Sequence, residues 1–219
     1  MAETSDNSLF REIDEELKQE KFAKLWKRYG TFVIAGAVAL VAVVGGYQGW
    51  KEYDIRTRMK EGEIFSAALA LARDGKSSET IEAFAKLGQD AGGGYSMLAR
   101  FQEAGRISEK GDKAEAAKLY RRIADDSGVD AVYRDLAVIL GTLNEIGNAD
   151  AGSLRSRLAP LTAGDNPWRF SAKELSAVLA IEAGDNAGAR ETLSALMEDE
   201  SAPTGIRARA REILATLGG

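Results

Sequence analysis

Ser171 and Lys173 are the residues in this chain that come nearest to a nucleophile and its base, since a lysine amine beside an oxyanion framework can activate a serine hydroxyl. No such framework is written around them, and two common residues at this spacing arise by chance. The 219 residues contain no His and no Cys. This removes Ser-His-Asp triads, thiolate nucleophiles, Cys-ligated zinc and imidazole metal sites together. Neither a Gly-x-Gly-x-x-Gly nor a Gly-x-x-x-x-Gly-Lys-Ser/Thr phosphate loop occurs, and Gly92-Gly93-Gly94 reads as a flexible connector. The expectation is therefore a protein that is no enzyme and carries no cofactor and no metal.

Binding chemistry has better candidates. Arg100, Arg106 and Arg134 recur on what read as the first helices of hairpins, where guanidinium groups can line a groove and hold carboxylates or peptide carbonyls. A solvated helix face is the plainer reading of the same residues. Trp168 follows Asn166-Pro167 and offers a ligand platform, although a large aromatic at a helix start more commonly packs against its neighbour. These four residues are the candidate partner-binding set. Nucleic acid is not expected as a partner, because the formal net charge is −5 and basic and acidic residues are interspersed without a basic stripe.

The elements that must position these side chains are helices. After Trp50 the chain holds three Pro, abundant Ala and Leu, and no sustained apolar-polar alternation. Gly75-Lys76, Gly111-Asp112, Gly147-Asn148 and Gly184-Asp185 each interrupt a helical pattern, at glycine spacings of 36, 36 and 37 residues. Each reads as a Gly C-cap between two helices. One-sided apolar stripes flank the turns: Leu98, Phe101, Ala104 and Ile107 before Gly111, and Leu136, Ile139, Leu140 and Leu143 before Gly147. A lone hairpin cannot bury such a stripe, so several must stack as a solenoid. Asn166-Pro167 and Ser201-Ala202-Pro203 read as starts of further helices, the last of them a terminal cap with Ile206, Ala210, Ile213, Leu214 and Leu217 on one face.

The solenoid is preceded by an apolar run. Tyr29 to Trp50 is 22 residues without a charge. As a helix rising about 1.5 Å per residue it matches a hydrocarbon core of roughly 30 Å. Tyr29, Phe32, Tyr47 and Trp50 place rings at both ends, as an interfacial belt does. The run is longer than a cleaved signal's apolar region, and no small-x-small site stands just before Lys51, so it reads as an uncleaved signal anchor. Lys21, Lys24, Lys27 and Arg28 lie before it without an acid, whereas Glu52 and Asp54 offset Lys51, Arg56 and Arg58 after it. That bias places the N-terminal side in the cytoplasm. The stretch from Ser8 to Arg28 carries a broken apolar stripe of Leu9, Phe10, Ile13, Leu17, Leu25 and Trp26, suited to the membrane interface or to docking on a membrane complex. No Pro or Gly breaks residues 51 to 61, so the anchor helix is expected to continue into the first repeat.

The turn and its surroundings resemble the tetratricopeptide repeat. Gly111, Asp112, Ala116 and Tyr120 match that pattern, as do Gly184, Asp185, Ala189 and Leu193. The family's Trp near the start of the first helix is replaced by Ile64, Arg100, Leu136 and Lys173. Over nearly its full length the chain is also similar to the bacterial YfgM-type proteins, ancillary subunits of the SecYEG translocon, and especially to their alphaproteobacterial relatives. The likeness rests on Phe10 to Leu17, on the Leu25-Trp26-Lys27-Arg28-Tyr29-Gly30 entry and the Gly49-Trp50 exit of the anchor, on Asp165-Asn166-Pro167-Trp168-Arg169, and on Ala202-Pro203-Thr204-Gly205-Ile206-Arg207.

The sequence thus sets out an all-α protein: a cytoplasmic segment 1–28, a single transmembrane helix 29–50 and a tetratricopeptide-like helical-hairpin solenoid 51–219. The resemblance implies a repeat domain on the periplasmic side of a bacterial inner membrane, with translocon subunits, periplasmic chaperones and exported polypeptides as partners. A scaffold or regulator of cell-wall or division complexes would share the same features.

Overall fold

The computed structural model describes residues 3–218, with side chains at residue 18 and from residue 20 onward. The chain divides into two units, Met1–Met59 and Lys60–Gly219. Among the described residues the secondary structure is helical throughout, with no strand.

Helix α1, Glu3–Arg73, contains the apolar run, and helical backbone is continuous from that run through residues 51 to 61, as the lack of breakers predicts. Its membrane-type side chains lie open: Phe32 is 75% and Val43 72% exposed. That is the opposite of a buried core helix, and it is what a span presents to lipid. One stretch of this helix is long and apolar enough to cross a membrane. Leu9, Phe10, Ile13 and Leu17 lie outside the residues whose side chains are described.

In the second unit the end of α1 is followed by α2 (Ser77–Asp90), α3 (Gly93–Glu109), α4 (Lys113–Ala124), α5 (Ala131–Glu145), α6 (Ala151–Leu158), a short 3-10 turn, α7 (Arg169–Glu182), α8 (Asn186–Glu198) and α9 (Thr204–Gly218). All four predicted turn glycines adopt positive φ, between +74° and +95°. Three turns are built alike. The Gly amide reaches back three residues and the next amide five, as in Gly111 N to Ser108 O and Asp112 N to Ile107 O, the Schellman pattern that satisfies a helix's last carbonyls. The following residue starts the next helix at nearly identical dihedrals: φ −81° and ψ 66° at Lys76, −82° and 68° at Asp112, −83° and 64° at Asp185. Asp112 and Asp185 also cap the helices they open, each accepting an amide at 3.0 Å. The turn at Gly147 differs, because its amide is taken at 2.9 Å by the Glu182 carboxylate of the next repeat.

The core is a row of four clusters rather than one centre. Ala68, Phe84, Leu87 and Ala99 form the first. Ala104, Ala116, Tyr120, Ile123, Val129 and Ala137 form the second, and Ile139, Leu154, Leu158, Leu161, Ala172, Leu175 and Leu179 the third. The fourth joins Phe170, Ala177, Leu193, Leu196 and Ala202 to Ile206 and Ala210 of α9, which is the predicted cap. Every cluster takes residues from two successive repeats or from the last repeat and the cap. The polar links keep the same step: Ser108 to Asn144 and Trp168 to Val132 each span 36 residues, and Arg209 to Glu174 spans 35. Contacts between neighbouring repeats are what a solenoid is made of.

Four details depart from the expected pattern. Leu98 and Leu143, expected in the core stripes, are 43% and 47% exposed. Their helices approach neighbours through smaller residues instead, with Ala99 and Ala137 fully buried; a Cβ on Gly141 would stand only 3.3 Å from that of Tyr120. Gly92-Gly93-Gly94 is a helix start and not a loose connector: Gly92 precedes α3 and its amide donates to Glu61 at 3.0 Å. Asn166 caps the amide of Trp168 at 2.8 Å, so α7 proper begins two residues late, at Arg169. Before α9, Ser201 gives its amide and hydroxyl to Asp199, the residue that ends α8, and α9 itself begins at Thr204, just after Pro203.

Candidate partner-binding surface

Arg100, on α3, donates to Asp126 Oδ2 at 2.6 Å and to the Arg122 carbonyl at 3.2 Å. This guanidinium, standing where the tetratricopeptide pattern has Trp, therefore ties α3 to the α4–α5 connection. Its hydrogen bond, with help from the Gly128 amide, holds the Asp126 carboxyl below the usual range. Arg134, at the start of α5, adds its charge to the same carboxylate, and its Nε is buried without a hydrogen-bond partner. Arg106 is separate: it pairs at 2.8 Å with Glu109 on its own helix. The structure thus brings Arg100 and Arg134 together around Asp126 and leaves Arg106 apart. Half-buried Glu103 shares the neighbourhood of Arg100 and Arg122, and burial raises its carboxyl pKa against their attraction.

Trp168 packs against the third core cluster and donates its indole N–H to the Val132 carbonyl at 2.8 Å. Through this contact it joins the start of α7 to the start of α5, one repeat back. Val132 and Tyr133 beside that carbonyl are 38% and 39% exposed. With Ile64, Leu98 and Leu143 they are, among the described residues of the second unit, the large apolar side chains that the first helices offer to solvent.

A different face carries clefts that the sequence did not single out. A cleft of about 400 Å³ lies between α4 and the α5–α6 turn, lined by Lys113, Lys118, Arg121, Asn144 and Glu145. Glu145 is its anchor point, accepting from Arg157 at 2.5 Å and standing 3.7 Å from Arg121. Ser171 and Lys173 share α7, where residues two positions apart point away from one another, so no Ser-Lys pair forms.

Residues 23–140, just over half of the chain, match a family described as a tetratricopeptide repeat-like domain. The chain belongs to this tetratricopeptide repeat-like family. No curated protein and no solved structure matches it. The match begins at residue 23, in the basic stretch of α1 just before the apolar run, and ends within α5, so the family pattern takes in the candidate anchor together with the first repeats. A tetratricopeptide-like fold typically serves as a non-catalytic scaffold for protein–protein interaction, and stacked hairpins offer it extended surfaces. What sequence reasoning missed here is the face of the second helices. The available signal was the spacing Gly152, Arg155, Ser156 and Ala159, one stripe of small and polar residues along α6 and the residue that ends it.

Proposed function

We propose that this chain is a membrane-anchored polypeptide-binding module, an accessory or chaperone-adaptor subunit at the Sec translocon of a bacterial inner membrane. In this reading residues 1–28 lie in the cytoplasm, 29–50 span the bilayer, and 51–219 form the repeat domain in the periplasm, where it engages exported proteins or periplasmic chaperones. The observation that carries the reading is the family match from residue 23 to 140, which joins an exposed apolar helix and a tetratricopeptide-like scaffold in one pattern. Arg100, Arg106, Arg134 and Trp168 are proposed to border the binding surface, with Val132 and Tyr133 as its apolar part. The mechanism is tethering. Confining a binding surface to the membrane raises its effective concentration near emerging chains, so weak contacts suffice.

Gentle detergent extraction of the tagged protein followed by mass spectrometry tests the assignment. Recovery of translocon subunits or periplasmic chaperones is the expected result, and recovery of only division or cell-wall proteins overturns it. The topology has its own test, helped by the absence of native cysteine. In spheroplasts a membrane-impermeant maleimide should label an Ala114→Cys variant and should label Ala23→Cys only after permeabilisation; the reverse pattern rejects the orientation.

A further inference from the structure

We infer that the groove between α6, α7 and α8 is a binding site for an extended, acidic polypeptide segment, whose carboxylate sits between Arg155 and Lys173. This rests on the reading of the domain as a polypeptide binder and places one site on it. The groove has a volume of about 570 Å³, and its polar lining is Arg155, Ser156, Thr162, Lys173, Ser176 and Thr192, with no carboxylate. None of Arg100, Arg106, Arg134 and Trp168 lines it.

Its two cations have capacity to spare. Lys173 makes no ion pair or hydrogen bond among the described residues, although its charge is felt by Asp199. Arg155 stands 3.6 Å from Asp185, a loose pair with both side chains over 40% exposed, and Asp185 is already engaged in capping α8. A guanidinium has five donors, and one such contact leaves most of them open.

The hydroxyls decide what else the ligand must carry. Ser156 donates to Gly152 O at 3.0 Å, Thr162 to Ala159 O at 2.8 Å and Thr192 to Gly188 O at 3.0 Å. With their protons spent inside the fold, these three oxygens have lone pairs left to offer, which accept and do not donate. A ligand that matches the groove therefore brings an anion for the cations and N–H donors for the hydroxyl oxygens. A peptide with an acidic side chain has both. Free phosphate and a phospholipid headgroup surface supply the anion without the row of amides, so they match only half of the site.

The test uses the full chain in phosphatidylcholine nanodiscs and a fluorescein-labelled peptide of alternating Ser and Glu, read by anisotropy at low salt. Saturable binding is expected, weakened roughly tenfold in an Arg155→Ala/Lys173→Ala variant and retained in Lys173→Arg. The peptide with Gln in place of Glu should lose as much, and inorganic phosphate should compete poorly. Equal binding of the Glu and Gln peptides, binding indifferent to the double variant, or full displacement by phosphate each overturns the inference. Both changed side chains are at the surface, and unchanged circular dichroism verifies that the variant is folded. Recovery of partner proteins from detergent extracts separates the two levels. If partners are recovered but the acidic peptide does not bind, the groove assignment falls and the function stands; if neither occurs, both fall.

Discussion

Arg209 of the terminal helix grips Glu174 of α7 through two hydrogen bonds of 2.6 and 2.7 Å, and this contact offers a sharp test of the solenoid. Glu174 is only 12% exposed, whereas Arg209 is 56% exposed. A charge-assisted bidentate pair in full burial would be worth several kcal/mol, but an open guanidinium reduces the direct term to about 1 kcal/mol. Arg209→Ala also strands a mostly buried carboxylate, which adds about 1 kcal/mol more. The sum of about 2 kcal/mol corresponds to roughly 30-fold easier opening. Because each repeat touches only its neighbours, the loss should stay near the cap. Hydrogen exchange followed by mass spectrometry should show residues 204–218 exchanging about 30-fold faster while 93–124 are unchanged. A Glu174→Ala/Arg209→Ala variant, which removes the stranded charge, should recover about half of that loss. Equal acceleration across all repeats, or none in α9, would refute the reasoning.

Three further outcomes follow from the turns, the indole and the carboxylates. Gly184→Ala should lower stability by about 1 to 2 kcal/mol in urea unfolding, since φ at this position is +80°, and Gly184→Asn should lose less. Trp168→Phe keeps the ring but leaves the Val132 carbonyl without its indole donor; a loss of about 1 kcal/mol is expected by the same measurement. For pH, hydrogen bonds hold Asp126 and Asp199 below their ordinary value of 3.8, from Arg100 and Ser201 respectively, so each contributes stability above that value and loses it as pH falls through the lowered one. Glu103 acts in the opposite sense. Burial raises it from 4.5, so its contribution is complete below that value and is lost as pH rises through the raised one. Urea midpoints across the acid range should therefore fall less steeply in Asp199→Asn, and Glu103→Gln should gain stability at neutral pH relative to acid.

Much of the fold was legible because its punctuation is local. Gly75, Gly111, Gly147 and Gly184 sit at positive φ, a conformation glycine adopts at no steric cost, and a run of uncharged residues from Tyr29 to Trp50 is visible without any tertiary knowledge. Contacts one repeat away were not legible. Nothing near Gly147 announces that Glu182 will take its amide, and nothing near Arg100 announces Asp126. Helical periodicity placed Leu98 and Leu143 inside, but the close approach of neighbouring helices selected Ala99 and Ala137, because at short interaxial distance a small residue makes the contact. Among the binding candidates, what each side chain would touch was not legible. Arg100 was read as groove lining and is bound into the fold's own connections, while Lys173, set aside as half of a chance pair, lines an open groove without a carboxylate.

The central claim is that an anchored repeat surface meets polypeptides at the membrane, and photo-crosslinking in intact cells tests it most directly. A photoreactive phenylalanine analogue in place of Tyr133, exposed beside Trp168, should give ultraviolet-dependent adducts with translocon subunits, chaperones or exported chains, and these should be lost when residues 1–59 are removed. Absence of any polypeptide adduct from this position, or adducts unchanged without the anchor, would contradict the account.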